Sequence, residues 1–108
     1  MDIKDLIKKA HENAVKHGFW DDIVDNEWHG INYTNNAIGN RLMLIVSEVA
    51  EAQDGLRRGD MDNFKEELAD ILIRTADLAG GLGIDLEAEI IKKMEKNKKR
   101  PYKHGKKF

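Results

Sequence analysis

Two pairs of acidic side chains, placed symmetrically about a glycine, constrain the fold of this chain more than any other feature. Glu48 and Glu51 form the first pair, and Glu67 and Asp70 form the second. A separation of three residues places both members of a pair on one face of a helix, about one turn apart. The midpoint of each pair lies about nine and a half residues from Gly59. Two antiparallel helices joined there would therefore bring the pairs to the same height.

The residues around these acids predict a helical hairpin, with helices over 41–56 and 64–82. Gly59 is suited to ending the first helix, and Asp60 or Asp62 can cap the second. At roughly 100° per residue, the apolar stripe of each helix lies about 90° to one side of its acids. We expect the stripes to form a seam that the four acids flank. The stripes consist of Leu42, Ile45, Val49 and Leu56 on the first helix and Phe64, Leu68, Ile71, Leu72, Thr75, Ala79 and Leu82 on the second.

Four carboxylates at one level repel one another, and burial strengthens the repulsion. A bound divalent cation would relieve it, and carboxylate oxygens are ligands that suit Mg²⁺ or Mn²⁺. The alternative is an ordinary helical hairpin with a solvated acidic face. Residue spacing alone leaves both interpretations open.

Composition indicates one all-α domain, residues 1–108. At 108 residues and 41% hydrophobic, its modest core would gain from oligomerisation. The only proline is Pro101, so nothing interrupts helices before it. The lack of cysteine excludes disulfides and thiolate chemistry. The apolar runs are too short to span a membrane and the acidic start, MDIKDL, is not a signal peptide. We therefore expect a cytoplasmic protein with no membrane partner.

The net charge of −2 hides an asymmetry between the body of the chain and its end. From Lys92 onward nine basic residues accompany one acid, whereas the first 91 residues hold nine basic and nineteen acidic residues. This distribution does not favour binding to a nucleic acid polymer or to a membrane. It favours a site that binds one polyanion from two sides, through a metal held by the acids and through the basic residues from Lys92 onward.

Two further helices are expected, one at each end of the chain. The first covers residues 2–17, with Asp2 as its N-cap, and the last runs from Asp85 to about residue 99. The last helix carries a basic face that ends in an amide, which suits phosphate recognition. The alternative is that these lysines only complement the helix C-terminus. A basic, non-helical tail follows from about 100 to 108. The basic face consists of Lys93, Lys96, Asn97 and Arg100.

Residues 18–37 lack helical periodicity and predict a loop. Its aromatic residues include Trp20 and Trp28, whose rings are suited to stacking on a nucleobase. The alternative for each tryptophan is that it plugs the end of a small bundle. His11 is expected to be a surface polar residue.

The second hairpin helix carries two further features. Arg74 lies four residues after Asp70, which predicts a surface salt bridge; a substrate-binding role for Arg74 is the alternative. Glycine-rich 80–83 is expected to break the helix. An apolar strip opposite the acids predicts a subunit interface. That strip consists of Ala69, Ile73 and Ala76.

In its order of motifs the chain resembles the all-α nucleoside triphosphate pyrophosphohydrolases, the superfamily of MazG, the dimeric dUTPases and the dCTP pyrophosphatases. The two acidic pairs match the superfamily's signature. GFWD at 18–21 resembles the segment before the first metal helix, and LMLIVSEVAEA and EELADILIRTADLA resemble the two metal helices. KMEKNKKRPYKHGKKF resembles the C-terminal helix and tail. The resemblance covers most of residues 18–108.

The resemblance implies a MazG-like four-helix protomer that forms a homodimer or homotetramer. Glu48, Glu51, Glu67 and Asp70 would hold Mg²⁺ and serve catalysis. A metal-activated water would attack the α-phosphorus of a nucleoside triphosphate, giving the monophosphate and pyrophosphate in a house-cleaning or pool-control role. Lys93 and Asn97 match the phosphate-contacting positions, whereas Lys96 and Arg100 rest on the helical face alone.

Two departures from the superfamily pattern concern the base pocket. NEWHGINYTNN (26–36) is an insertion before the first metal helix, and Arg74 stands where some relatives have an aromatic residue. Base preference therefore cannot be carried over. Two alternatives remain: a phosphoribosyl-ATP pyrophosphohydrolase, which the long aromatic N-terminal segment disfavours, and a non-enzymatic helical interaction module.

Overall fold

The computed structural model describes the backbone of residues 1–23 and 26–105 and the side chains of residues 1–23 and 35–103. Every regular element within these ranges is helical, which confirms the all-α prediction. Short 3₁₀ turns lie at Asp21–Ile23 and Tyr102–Gly105. The α-helices are α1 (Ile3–Lys16), α2 (Asn26–Arg57), α3 (Met61–Gly81) and α4 (Leu86–Lys98). Among the helices in these ranges, none combines the length and the apolarity needed to cross a membrane.

An aspartate caps the N-terminus of α1, α3 and α4. In each case a carboxylate oxygen accepts a hydrogen bond from the backbone N–H three residues further on, which satisfies one of the free donors of the first turn. Asp60, rather than Asp62, is the cap of α3. The three N–H···O bonds are Asp5 to Asp2 at 2.8 Å, Asn63 to Asp60 at 3.0 Å and Ala88 to Asp85 at 3.1 Å.

The α2–α3 hairpin turns at Gly59, as the sequence predicts. Gly59 has a φ of +72°, which a residue with a side chain adopts only with strain. The helices approach closely beside the turn, because a Cβ built on Gly55 would lie 2.6 Å from Nδ2 of Asn63. Antiparallel α2 and α3 therefore carry their acids at matching heights.

The prediction of a loop over 18–37 is wrong from Asn26 onward, because α2 begins there. The polar residues of this stretch have low helix propensity, but none is a proline, and the helix continues back from its apolar part. Among the described residues of this stretch, 18–23 keeps an irregular, 3₁₀-containing course. The side chains of 24–34 lie outside the described residues, so the predictions for Trp28 and for most of the inserted segment are untested.

The predicted apolar seam between α2 and α3 is wrong for most of the α2 stripe, and for Leu68, Leu72 and Leu82 of the α3 stripe. The face of α2 that is buried carries Glu48, Ala52 and Gly55, at spacings of four and three residues. The predicted stripe points elsewhere, since Leu42, Val49 and Leu56 remain 49%, 50% and 52% exposed. Small residues beside the acids let the helices approach, so the acidic face is internal. Many large apolar side chains of the described residues are left at the surface of the chain.

Helix α3 is the centre of the fold, with α2 on one side and α1 on the other. The buried residues of α1 and α3 include the alanines Ala14 on α1 and Ala76 on α3. The prediction that glycines 80–83 break the helix is wrong for the first two. Gly80 and Gly81 belong to α3, and a Cβ on Gly80 would lie 2.8 Å from Cβ of His11. Gly80 therefore lets α1 approach α3 closely.

Candidate metal centre and adjoining cavity

Three of the four predicted acids meet across the α2–α3 hairpin. One carboxylate oxygen each of Glu48, Glu67 and Asp70 lie within 4.8 Å of one another. Glu48 and Glu67 are each only 9% exposed. Within the described part of the chain, Oε2 of Glu67 is buried and accepts no hydrogen bond. A buried acceptor without a donor is costly, and a cation coordinated there would satisfy it.

The pKa values of Glu48 and Glu67 reflect the closeness of the acids. The hydrogen bond with Glu48, together with burial and the negative charges of Glu51 and Glu48, raises the pKa of Glu67 to about 7. The same hydrogen bond, reinforced by Arg74, holds the pKa of Glu48 below its usual range. The two pKa shifts have opposite directions because neighbouring carboxylates disfavour ionising together, so Glu48, beside Arg74, loses its proton at a lower pH than Glu67.

Glu51 lies outside this group of three. It is exposed, although its charge is near enough to contribute to the raised pKa of Glu67. Its role as a metal ligand stays a prediction.

Arg74 does not form the predicted pair with Asp70. Its Nε donates instead to Oε1 of Glu48 at 2.9 Å, across the hairpin. The side chain of Glu48 is 11% exposed and that of Arg74 is 39% exposed. Glu48 is the partner because it is buried beside other acids. A positive charge is attracted most strongly there, since water screens the interaction least.

A cavity of about 550 Å³ adjoins the acids and lies between α1, α2 and α3. Glu48 and Asp70 belong both to its wall and to the group of three. Small side chains, two amides and two guanidinium groups form much of the rest. The other lining residues are Ala10, Asn13, Ala14, Gly18, Phe19, Asp22, Asn40, Arg41, Leu44, Ile73, Arg74 and Asp77.

Arg41, which sequence reasoning missed, fixes the irregular segment beside the cavity. Its Nη atoms donate to both carboxylate oxygens of Asp22 at 2.6 and 3.0 Å and to the carbonyl of Phe19 at 2.8 Å. The hydrogen bond from Arg41 holds the pKa of Asp22 below its usual range. The guanidinium also lies 4.0 Å from the centre of the Trp20 ring. An arginine in the middle of α2 gives no sequence signal of such distant partners.

Trp20 lies outside the cavity lining and is tied to α3. Its Nε1 donates to Oδ1 of Asp77 at 2.8 Å, and Nδ1 of His11 lies 3.0 Å from the same oxygen. A Cβ on Gly81 would overlap the Trp20 ring. The prediction that His11 is a surface residue is wrong, since its ring packs edge-on against Trp20. Nucleobase stacking by Trp20 stays a prediction.

The basic face of α4 is not brought to the cavity within one chain. Helix α4 packs against α1, and the cavity's described lining contains none of the four predicted phosphate-binding residues. Lys93, Lys96 and Arg100 are exposed, and Asn97 is half-buried. Among described atoms, Oδ1 of Asn97 is buried and has no hydrogen-bond partner. Their role in binding phosphate stays a prediction.

Comparison with known proteins gives one finding. A family model described as MazG-like matches residues 43–108, which include the acids of both hairpin helices and all of α4. No curated protein and no solved structure shows a significant match to the chain.

Proposed function

The chain belongs to the MazG-like family, and from this premise we propose that it is a Mg²⁺-dependent nucleoside triphosphate pyrophosphohydrolase. It would convert an NTP or dNTP to the monophosphate and pyrophosphate, in house-cleaning or control of the nucleotide pool. One observation carries the proposal: Glu48 and Asp70 belong both to the group of convergent carboxylates and to the wall of the 550 Å³ cavity. A cavity of this size is within the range that holds small ligands.

The residues present fit a hard divalent cation. All the candidate ligand atoms are carboxylate oxygens. Oε2 of Glu67 is buried without a hydrogen-bond partner among the described residues, and a coordinated cation would satisfy it. Glu48, Glu67 and Asp70 would hold Mg²⁺, with Mn²⁺ as a substitute, and Glu51 is a fourth candidate ligand. Bound there, the ion would neutralise phosphate charge and lower the pKa of water.

The cavity would receive the nucleoside, with the triphosphate directed towards the acids. Asn13 and Asn40 offer amide donors and acceptors to base and sugar. In the reaction, a water oxygen bonds to the α-phosphorus and the bond from the α-phosphorus to the α,β-bridging oxygen breaks. Pyrophosphate leaves with the electron pair, and the water's proton passes to a carboxylate. Arg74, which lines the cavity, is a further candidate substrate ligand.

The basic residues of α4 would bind the triphosphate, because ammonium, guanidinium and amide groups suit phosphate oxygens. They do not reach the cavity of their own chain, and many apolar side chains are exposed on α2 and α3. Both facts support a homodimer or homotetramer as the functional form.

Product analysis tests the proposed reaction. Each common NTP and dNTP is incubated with the protein and Mg²⁺, or with EDTA, and the products are separated by ion-exchange chromatography. We expect monophosphate and pyrophosphate from at least one nucleotide, only with Mg²⁺. Release of diphosphate and orthophosphate would refute attack at the α-phosphorus. Lack of turnover together with no Mg²⁺ effect on melting would refute the metal site as well.

The Glu51→Gln variant assigns the role of the fourth acid. Loss of Mg²⁺ binding, measured by calorimetry, would identify Glu51 as a ligand. Retained Mg²⁺ binding with lost turnover would identify it as the group that accepts the water's proton. Glu66→Gln, at an exposed position on α3, is the control and should change neither property.

A further inference from the structure

The guanidinium of Arg74 supplies positive charge at the carboxylate where a metal ion is proposed to bind. Its Nε donates to Oε1 of Glu48 at 2.9 Å, and Glu48 is one of the three convergent acids. The group of acids also contains a buried acceptor without a donor: Glu67 is nine-tenths buried, and its Oε2 has no partner among described residues. Arg74 thus compensates one acid of the group and leaves another uncompensated.

A divalent cation and Arg74 cannot both hold Glu48 in this arrangement without repelling each other. Asp70, one helical turn before Arg74, offers no alternative because it belongs to the same group of acids. One carboxylate oxygen of Asp77, Oδ1, already accepts from Trp20 and lies against Nδ1 of His11. Arg74 also lines the cavity and is 39% exposed, so its side chain can turn without movement of α3.

We propose that Arg74 couples metal binding to phosphate binding by exchanging partners, from Glu48 in the metal-free protein to the substrate's phosphates in the metal-loaded protein. This inference rests on the proposed function. Arg74 leaves Glu48 when a divalent cation binds, and its guanidinium then contacts phosphate oxygens in the cavity. Metal without substrate binds against the cost of the broken pair, whereas metal and a polyphosphate together bind cooperatively.

The test measures metal and polyphosphate binding rather than turnover. Wild type and Arg74→Gln are titrated with Mn²⁺ alone by calorimetry, and then with inorganic tripolyphosphate, which needs no knowledge of the base, with Mg²⁺ or with EDTA. Complex formation between Mg²⁺ and tripolyphosphate in solution is the same for both proteins and cancels in the comparison. Arg74→Met is a second neutral variant in case the first folds poorly.

Partner exchange predicts opposite effects in the two titrations. Arg74→Gln should bind Mn²⁺ alone about five-fold or more tightly than wild type. With Mg²⁺ present, it should bind tripolyphosphate at least five-fold more weakly. With EDTA it should bind tripolyphosphate like wild type, because Arg74 is then held by Glu48. The control variant Arg58→Gln removes an exposed arginine that pairs with Asp54 and Asp60 and does not line the cavity, so it should change none of these affinities.

Two results would overturn the exchange. Weaker Mn²⁺ binding by Arg74→Gln would show that Arg74 supports the ligand Glu48 rather than competing for it. Equal loss, or no loss, of tripolyphosphate binding with and without Mg²⁺ would show that the metal does not redirect Arg74. If wild type itself binds neither Mn²⁺ nor tripolyphosphate, the proposed function fails; if wild type binds both but the variant lacks the predicted pattern, only the exchange fails.

Discussion

Trp20 and Asp77 are joined by a 2.8 Å hydrogen bond from the indole Nε1 to a carboxylate oxygen, across 57 residues of sequence. The bond fastens the segment after α1 to the last turns of α3. Arg41 covers the Trp20 ring from α2, so one tryptophan links three helices beside the cavity. The geometry of the cavity therefore depends on this anchor.

Gly81→Ala tests the anchor, because a Cβ at this position would overlap the Trp20 ring. Helix propensity alone predicts a gain of up to about 1 kcal/mol for an alanine in a helix. We expect instead a loss of about 1–3 kcal/mol in the free energy of unfolding, from overpacking. Urea titration followed by circular dichroism measures it. In the control, Gly39→Ala, the Cβ meets no described atom within 4 Å and should be neutral or stabilising; equal effects would contradict the anchor.

Arg41→Lys removes the planar guanidinium group that donates to Asp22 and to the Phe19 carbonyl. We expect a loss of roughly 1–3 kcal/mol, because an ammonium cannot reproduce the paired bonds. Asp22 has a lowered pKa in the folded protein, so its pair stabilises the fold above the ordinary value of 3.8 and loses effect as the pH falls through the lowered value. NMR titration should find this pKa nearer to 3.8 in the variant.

The matched control for Arg41→Lys is Arg58→Lys. Arg58, just after α2, makes exposed pairs with Asp54 and Asp60, and such pairs contribute little. A change within about 0.5 kcal/mol is expected. Similar losses in the two variants would show that the Arg41 hydrogen bonds do not hold the segment.

The raised pKa of Glu67 predicts how pH affects the metal-free and metal-bound protein. Between its ordinary value of 4.5 and about 7, folded Glu67 keeps a proton that the unfolded chain has lost. Metal-free stability should therefore fall as the pH rises through this window. Since a metal ligand must lose its proton, Mg²⁺ affinity should rise up to roughly tenfold per pH unit and level off above about 7. Melting curves with EDTA or Mg²⁺ from pH 5 to 8 measure both trends.

Glu67→Gln identifies the source of these trends. The variant should lose stabilisation by Mg²⁺ and the fall in metal-free stability above pH 4.5, because no charge appears at this position. Glu66→Gln, on the exposed side of α3, should keep both trends. A Mg²⁺ effect on melting that is independent of pH in wild type would contradict the assignment to Glu67.

What could be predicted from the sequence rests on local chemistry. Asp60 and Asp85 begin helices by bonding a backbone N–H three residues away, and Gly59 turns the chain at a positive φ. These interactions lie within a few residues, where sequence spacing determines geometry. The meeting of Glu48 with Glu67 and Asp70 could be predicted for the same reason, because a short turn fixes the relative height of two helices.

The rotation of each helix about its own axis, which decides the face that meets the neighbouring helix, could not be predicted from local spacing. Amphipathicity identifies the apolar face but not its partner, and here Glu48, Ala52 and Gly55 face α3 while Leu42 and Val49 stay exposed. The partner of Arg74 depends on that rotation. Sequence spacing offers Asp70 in the same helix, whereas the actual partner, Glu48, is 26 residues away. Local rules cannot choose between such partners.

Exposed apolar stripes predict self-association, which Leu72→Lys tests. Leu72 is 61% exposed in the single chain, so in a monomer the change should alter stability by less than about 0.5 kcal/mol. At an interface between copies it should lower the mass and the melting temperature. Sedimentation equilibrium of wild type should give at least twice 12.3 kDa. Lys65→Gln, exposed on the same helix, is the control; a wild-type mass of 12.3 kDa at tens of micromolar would contradict the prediction.

Ala14→Leu tests whether the nucleoside enters the cavity. Ala14 is 7% exposed and lines the cavity from α1, so a leucine there can extend into the 550 Å³ space. Because the space is open, the free energy of unfolding should change by less than about 1 kcal/mol. Mg²⁺ should still raise the melting temperature, since no carboxylate is altered. Nucleotide binding, measured by calorimetry with a non-hydrolysable α,β-methylene analogue of the best substrate, should weaken about tenfold or more.

The control for Ala14→Leu is Val15→Leu, the next residue of α1, which is 48% exposed and does not line the cavity. It should bind the analogue like wild type. If Ala14→Leu also binds normally, the nucleoside lies elsewhere and the acids serve a different pocket. If Ala14→Leu loses Mg²⁺ stabilisation together with nucleotide binding, the leucine has displaced α1 from α3. The lost nucleotide binding then results from damage to the metal centre. Separate metal and nucleotide readouts thus distinguish a filled cavity from a damaged metal centre.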